Sequence, residues 1–196
     1  MSDTPSSLQS KYELYDLPSP KRHITTHTND GKSCFYTETS PEVLRQPITD
    51  VVDFYLMYTT SNFPAELDNE DDIAKYRTFL EGPKPGLINK GGSVLRICDF
   101  APVGDAEAQP MHRTISIDYG IVTAGEMECW LDSGEKRSLK VGDIVIQRLT
   151  NHAWKNPSRD KWARMVFILQ EAQPLKIGSI ELKEEYGNIP GVAAST

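Results

Sequence analysis

The chain of 196 residues is poor in cysteine, in basic side chains and in long apolar runs. Its three cysteines, Cys34, Cys98 and Cys129, are an odd number at wide spacings, with no CxxC pair. That excludes a disulfide framework and a cysteine-rich zinc site, and predicts buried thiols in a reducing compartment. Basic residues are outnumbered 21 to 28 by acidic ones, for a formal charge of -7 and a pI of about 5.1. A general nucleic-acid binder needs a basic face to displace counterions from phosphates, so nucleic acid is excluded as a partner. No run approaches the ~20 apolar residues that cross a bilayer. The opening stretch MSDTPSSLQSKYELYDLPSPKR lacks the apolar core of a secretory signal. The expectation is a one-domain cytoplasmic protein with no membrane partner.

What is present is a strand-rich chain with polar ends. Hydrophobic residues at 38% and charged ones at 25% are enough to build a core and too balanced for a disordered chain. Residues 1–20 are polar and Pro/Ser-rich and read as a flexible arm, or a strap laid on a neighbour. Residues 176–196 read as a C-terminal tail. Segments 23–28 and 33–37 flank Asn29-Asp30-Gly31, a hairpin signal. Segment 51–61 (VVDFYLMYTTS) predicts a strand too apolar for clean alternation. One short helix is predicted over 68–81, with acids in its first turn, Ile73, Tyr76 and Phe79 on one face, and Gly82-Pro83 as the stop. From 93 to 169 seven short strands follow one another with no helix between them, separated by turns such as Ala124-Gly125 and Asp132-Ser133-Gly134. That order predicts an all-β fold, an antiparallel sandwich or barrel over 91–175, with 21–90 supplying N-terminal strands and the helix packed on it.

Two stretches carry candidate chemistry. In Met111-His112-Arg113-Thr114-Ile115-Ser116-Ile117-Asp118, the two-residue strand period puts His112, Thr114, Ser116 and Asp118 on one face. A row of imidazole, two hydroxyls and a carboxylate turned into a barrel is costly unless it binds something. In the second stretch, His152, Trp154 and Asn156 share a face. Arg113 falls opposite His112 and stays outside the pocket. Arg96 and Arg164 lie in strands that should line the barrel, where either can clamp a substrate carboxylate or enolate, or pair with an acid of the fold. Trp130 and Trp162 read as packing residues, and His23 and His27 as surface residues.

The segment 92–170 resembles the cupin family, small β-barrels with motifs of the form G-x5-HxH-x3,4-E-x6-G and G-x5-PxG-x2-H-x3-N. His112 takes the first histidine position, Thr114 the second, Asp118 the glutamate position and Gly125 the closing glycine. In the second motif Gly142, His152 and Asn156 fit, while Arg148-Leu149-Thr150 stands in place of Pro-x-Gly with one residue fewer before the histidine. MHRTISIDYGIV, LDSGEKRSLKVGD, NHAWKNPSRDKWARMVFIL, HITTHTNDGKSCF and YTTSNFP resemble single-domain fungal cupins encoded among natural-product genes.

The resemblance implies a cupin jelly-roll barrel and a small-molecule substrate, and cupins of this kind commonly pair as homodimers by exchanging N-terminal strands. Cupins with an intact motif hold Fe, Mn, Ni, Cu or Zn with three histidines and a glutamate. Here His112, Asp118 and His152 offer a 2-His-1-carboxylate set, so the cofactor is either one such divalent transition metal or none. Without metal, the same three residues are acid/base groups: His152 or His112 removes a proton next to a carbonyl, Asp118 orients or accepts, and Thr114 or Ser116 hydrogen-bonds the oxyanion. Trp154 would add a stacking wall. The expected function is a lyase, isomerase or cyclase of polyketide-like secondary metabolism. The alternatives are a metal-dependent oxidoreductase or a cupin that binds a small molecule without changing it.

Overall fold

The computed structural model describes residues 15–186. Most of the predicted N-terminal arm, residues 1–14, and the end of the predicted tail, residues 187–196, lie outside the described residues. Among those described, the strands form two principal antiparallel sheets. The larger has six strands in the order β3 (Gln46–Thr49), β4 (Val52–Thr60), β5 (Ser93–Phe100), β11 (Ala163–Glu171), β6 (Ser116–Ala124), β9 (Ile144–Arg148). The smaller has three, β10 (His152–Lys155), β7 (Met127–Leu131) and β8 (Lys136–Leu139). Their inner faces meet over one core containing Val52, Phe100, Val122, Met127, Trp154 and Met165. This is the all-β cupin jelly-roll.

Local chemistry accounts for most of the elements. The hairpin β1 (Ile24–His27) and β2 (Ser33–Tyr36) turns at Asn29-Asp30-Gly31. Between β6 and β7, Gly125 has φ +70°, and a β-carbon there would sit 2.8 Å from that of Ala163. The glycine is required both for its left-handed backbone and for the close approach of β11. The helix differs from its prediction. Asn69 and Glu70 are left-handed (φ 54° and 58°), so a 3-10 turn at Asp68–Glu70 precedes α1 (Asp71–Glu81). Lys84 closes the helix by donating from Nζ to Phe79 O and Leu80 O at 2.7 and 2.8 Å. Two further short strands, β12 (Lys176–Ile177) and β13 (Ile180–Glu181), pair within the predicted tail. Among the described residues no helix is long and apolar enough to cross a membrane.

β4 is buried on both faces. Val52 and Phe54 line the barrel interior, Leu56 in the same row extends it into a small second core with Val94 and Tyr76 of α1, and Asp53 and Tyr55 are buried on the opposite face. Tyr76 Oη donates to Leu56 O at 3.1 Å. Strands β3 and β4 therefore belong to the barrel's larger sheet, and the predicted boundary near residue 90 is not a break in the sheet. β3 was not predicted: it is four residues long, contains Pro47 and lies at the sheet edge, where a missing N–H costs no ladder bond.

On the outer face of the larger sheet, Asp53, Asp99 and Arg164 stand in register across β4, β5 and β11. Arg164 grips Asp99 with two hydrogen bonds, Nε to Oδ1 at 2.6 Å and Nη2 to Oδ2 at 2.7 Å. Its Nη1 donates to Pro18 O at 2.8 Å, and Tyr15 Oη donates to Asp99 Oδ2 at 2.7 Å. The Tyr15 ring meets Trp162 edge-on, with centroids 4.9 Å apart, beneath the guanidinium of Arg45. The described end of the N-terminal arm is thus a strap bound to its own sheet. Arg164 is corrected from a pocket residue to a structural one. Asp99→Asn should lower unfolding stability by about 3 kcal/mol, because it leaves Arg164 buried without its carboxylate. The Asp99→Leu/Arg164→Met pair should recover part of that loss in urea denaturation.

Candidate active site

Two stretches forty residues apart are joined by their backbones at the barrel mouth. His112 N–H donates to His152 O, and His152 N–H donates to His112 O, both at 2.9 Å. Such reciprocal bonding puts the two side chains on the same face, and their ring centroids are 4.4 Å apart. His112 Nδ1 donates to Pro110 O at 3.1 Å and His152 Nδ1 to Thr150 O at 2.9 Å. A backbone carbonyl only accepts, so Nδ1 carries the hydrogen in both neutral rings and each Nε2 keeps its lone pair.

Asp118 lies on β6, with a hydroxyl on each carboxylate oxygen. Ser116 Oγ donates to Oδ1 at 2.5 Å and Thr114 Oγ1 to Oδ2 at 3.3 Å. The two hydroxyl oxygens are 2.7 Å apart. The chain bends at Ile115, so Thr114 precedes the strand rather than belonging to it as predicted, yet Thr114, Ser116 and Asp118 are all buried. His112, Thr114, Asp118, His152, Trp154 and Arg96 line one cavity of about 80 Å³. Ser116 stands behind Asp118 and does not line it. Asn156, at the second motif's closing position, is structural: its Nδ2 donates to Phe100 O and Lys161 O at 2.9 and 2.8 Å. Where Pro-x-Gly is missing, buried Leu149 takes the left-handed turn at φ 56°, a conformation uncommon for a side chain of this size.

The electrostatics separate the carboxylate from the imidazoles. Burial raises the Asp118 pKa to about 6, against the lowering effect of the Ser116 and Thr114 hydrogen bonds. Burial, reinforced by the neighbouring His112, lowers that of His152 to about 3. Burial also lowers that of His112, opposed by its bond to Pro110. Both imidazoles are therefore neutral near pH 7, and Asp118 is the group poised close to neutrality.

The cavity's other walls come from strands that the motif reading did not reach. Phe54, Cys98, Phe100, Phe167 and Leu169 line it, together with Gln109. The alternation that turns Arg96 inward does the same for Cys98 and Phe100. Phe167 and Leu169 face inward on β11, which puts Arg164, of the other parity, outside. Cys98 and Cys129 are buried as expected, whereas Cys34 is only half-buried. Burial pushes the Cys98 thiol far up, so it remains protonated. Trp130 is half-buried, with the ammonium groups of Lys136 and Lys155 over its ring, and His23 and His27 are exposed. Arg113 turns away from the cavity toward Asp132 and Glu185, at 3.8 and 4.0 Å.

No protein-family model matches the chain. It is 47% identical over 165 residues to the phomopsin biosynthesis cluster protein D of Diaporthe leptostromiformis, covering 84% of this chain and 85% of that one. It is 40% identical over 176 residues to the oryzines biosynthesis cluster protein J of Aspergillus oryzae, covering 89% and 95%. It is 34% identical over 175 residues to the cupin-domain-containing oxidoreductase fogC of Aspergillus ruber, covering 86% and 80%. The chain belongs to the cupin-domain proteins of fungal natural-product biosynthesis clusters.

The family implies a transition metal, and the residues present do not fit one. Thr114 replaces an imidazole, and both oxygens of Asp118 are engaged by hydroxyls. Among the described residues no three of His, Cys, Asp and Glu are grouped so as to hold a metal ion. His112, Asp118 and His152 are therefore not drawn together as a ligand group in this structure. Ser116→Ala removes a bond that favours ionised Asp118, so it should raise the carboxyl's pKa by about one pH unit or more. A ¹³C NMR titration should show a midpoint near 6 in the parent protein and a higher one in the variant.

Proposed function

We propose that this cupin is a small-molecule enzyme of secondary metabolism that performs non-oxidative acid/base chemistry on a polyketide-like substrate: isomerisation, dehydration, decarboxylation or cyclisation. The observation that carries the reading is the buried Asp118 carboxyl, with a pKa near 6, in the same cavity as two neutral imidazoles. A base works best when its pKa is close to the working pH, and a histidine held near 3 is a weak one. The roles expected from sequence are therefore exchanged. Asp118 takes the proton from the carbon next to a carbonyl. As the acid it then returns that proton, to another carbon in an isomerisation or to a departing hydroxyl in a dehydration. His112 and His152 accept hydrogen bonds from substrate hydroxyls at Nε2 and orient them. Trp154 and Phe167, with ring centroids 5.3 Å apart, provide the stacking wall.

In a producing strain, Asp118→Asn should cut product formation by ~10²-fold or more, the usual contribution of one positioned acid/base group. His112→Ala and His152→Ala should also reduce it, with the folded protein retained. Full product from the Asp118 variant would end the reading.

The printed names of four relatives favour a second reading, since each is a cupin-domain-containing oxidoreductase. Elemental analysis of protein purified without chelator or affinity tag separates the two. The acid/base reading expects well below one equivalent of Fe, Mn, Ni, Cu or Zn. Near-stoichiometric metal that disappears in His112→Ala/His152→Ala, with oxygen consumed during turnover, would replace it with the redox reading.

The proposed assembly is a homodimer formed through the outer face of the larger sheet. Two apolar rows run in register across four strands there, Ile97–Val166–Ile121–Ile144 and Leu95–Ile168–Tyr119–Ile146. Ile144 and Ile146 are 59% and 44% exposed at its end, an unusual amount of apolar side chain to leave in water. Light scattering should give a dimer that Ile144→Glu/Ile146→Glu converts to a monomer; a monomeric parent protein would refute it.

A further inference from the structure

Arg96 is a buried cation without an acid. It projects inward from the middle of β5 and is 6% exposed. Its Nη2 donates to Gly86 O at 2.8 Å, and its guanidinium centre lies 4.6 Å from the Phe54 ring centroid. Among the described residues no carboxylate lies within ion-pair distance of it. A guanidinium has five N–H donors, and a backbone carbonyl and an aromatic face do not neutralise its charge. Arg164 shows the contrast: it is similarly buried, but it spends its donors on Asp99 and Pro18 O. Burial depresses the Arg96 pKa, yet arginine does not lose its proton in proteins, so the charge stays.

The position of that charge is specific. Arg96 lines the cavity that holds His112, Asp118 and His152, and also a second cavity of about 260 Å³ bounded by Gln46, Lys84, Pro85 and Gly86. Ile48 and Phe54 are the other residues common to both, so the guanidinium stands where the two cavities meet. Lys84, the other cation beside the second cavity, is already committed to the carbonyls that end α1. Beyond Arg96 the inner walls are Phe100, Trp154, Phe167 and Leu169.

We propose that Arg96 is the carboxylate-binding residue of this site, and that the ligand is an amphipathic carboxylic acid whose charged head lies at the junction of the two cavities and whose apolar body enters the inner one. A planar carboxylate matches the guanidinium fork, and the binding energy is enlarged because the arginine is already desolvated. The inference deepens the acid/base reading and rests on it for the chemistry that follows binding. Its test measures binding alone, so failure here leaves the role of Asp118 standing, and failure of that role leaves the carboxylate site standing.

Hexanoate and its neutral isostere hexanamide are the probes, titrated at pH 7.5 by calorimetry and by intrinsic tryptophan fluorescence. The parent protein should bind hexanoate at least ~10-fold more tightly than hexanamide, as expected for a charge-assisted pair. Arg96→Met should bind the two equally, Arg96→Lys should keep part of the preference, and Lys84→Met should keep all of it. Near-ultraviolet circular dichroism checks that each variant is folded, and the comparison in the parent protein needs no variant. Equal affinity in the parent, no hexanoate binding, a preference that survives in Arg96→Met, or one lost in Lys84→Met would each overturn the proposal.

Discussion

The site depends on the reciprocal backbone hydrogen bonds between His112 and His152. They attach the segment entering β6 to β10, and so join the two sheets at the mouth of the barrel. Because the bonds are mutual, the residues are held opposite one another and both imidazoles must face the cavity. A slip of one residue would turn His152 outward and bring Ala153 or Asn151 in. The Nδ1 bonds to Pro110 O and Thr150 O then fix the rings, with Nε2 free. Backbone geometry thus sets the identity, the direction and the tautomer of both imidazoles together.

The larger sheet deals with charge differently on its two faces. Outside, Asp99 and Arg164 neutralise each other and the Tyr15 strap covers them. Inside, Arg96 and Asp118 line the same cavity without forming an ion pair, and the neutral histidines add no charge near pH 7. Outer pairing returns part of the desolvation cost as stability. Inner charge is left without an ion pair, and its cost is borne by a core that is otherwise apolar: Val52, Leu87, Cys98, Phe100, Phe167 and Leu169. One step of the strand period separates Asp99 from Cys98 and Phe100, and that step decides which arrangement a residue joins.

That period also explains what was legible beforehand. Strands with alternating or β-branched composition were found with ends correct to a few residues, because turn chemistry at Gly31, Gly125 and Gly134 marks them. Of the expected row, His112, Thr114 and Asp118 line the cavity on either side of a bend at Ile115, while Ser116 is buried behind Asp118. Arg164 was misplaced because parity within a strand gives two faces but does not say which faces inward; only Phe167 and Leu169, read together, choose between them. The proton balance was out of reach for a different reason. It depends on how deeply Asp118 and His152 are desolvated, a property of the folded barrel rather than of spacing.

Thr114 is where the site departs from the cupin motif in the type of side chain. Where the cupin motif has a second imidazole, this chain has a hydroxyl, and the hydroxyl donates to Asp118 beside that of Ser116. An imidazole there would have offered a further ligand beside Asp118; the hydroxyl instead stabilises its anion. The carboxylate is shorter by a methylene than the motif's glutamate and is held back against its own strand by residues two and four positions earlier. Two departures from the motif therefore act in one direction. The first removes an imidazole and the second shortens the carboxylate, and together they leave a buried carboxyl with a pKa of about 6, because the hydroxyls offset part of the burial that would otherwise raise it further.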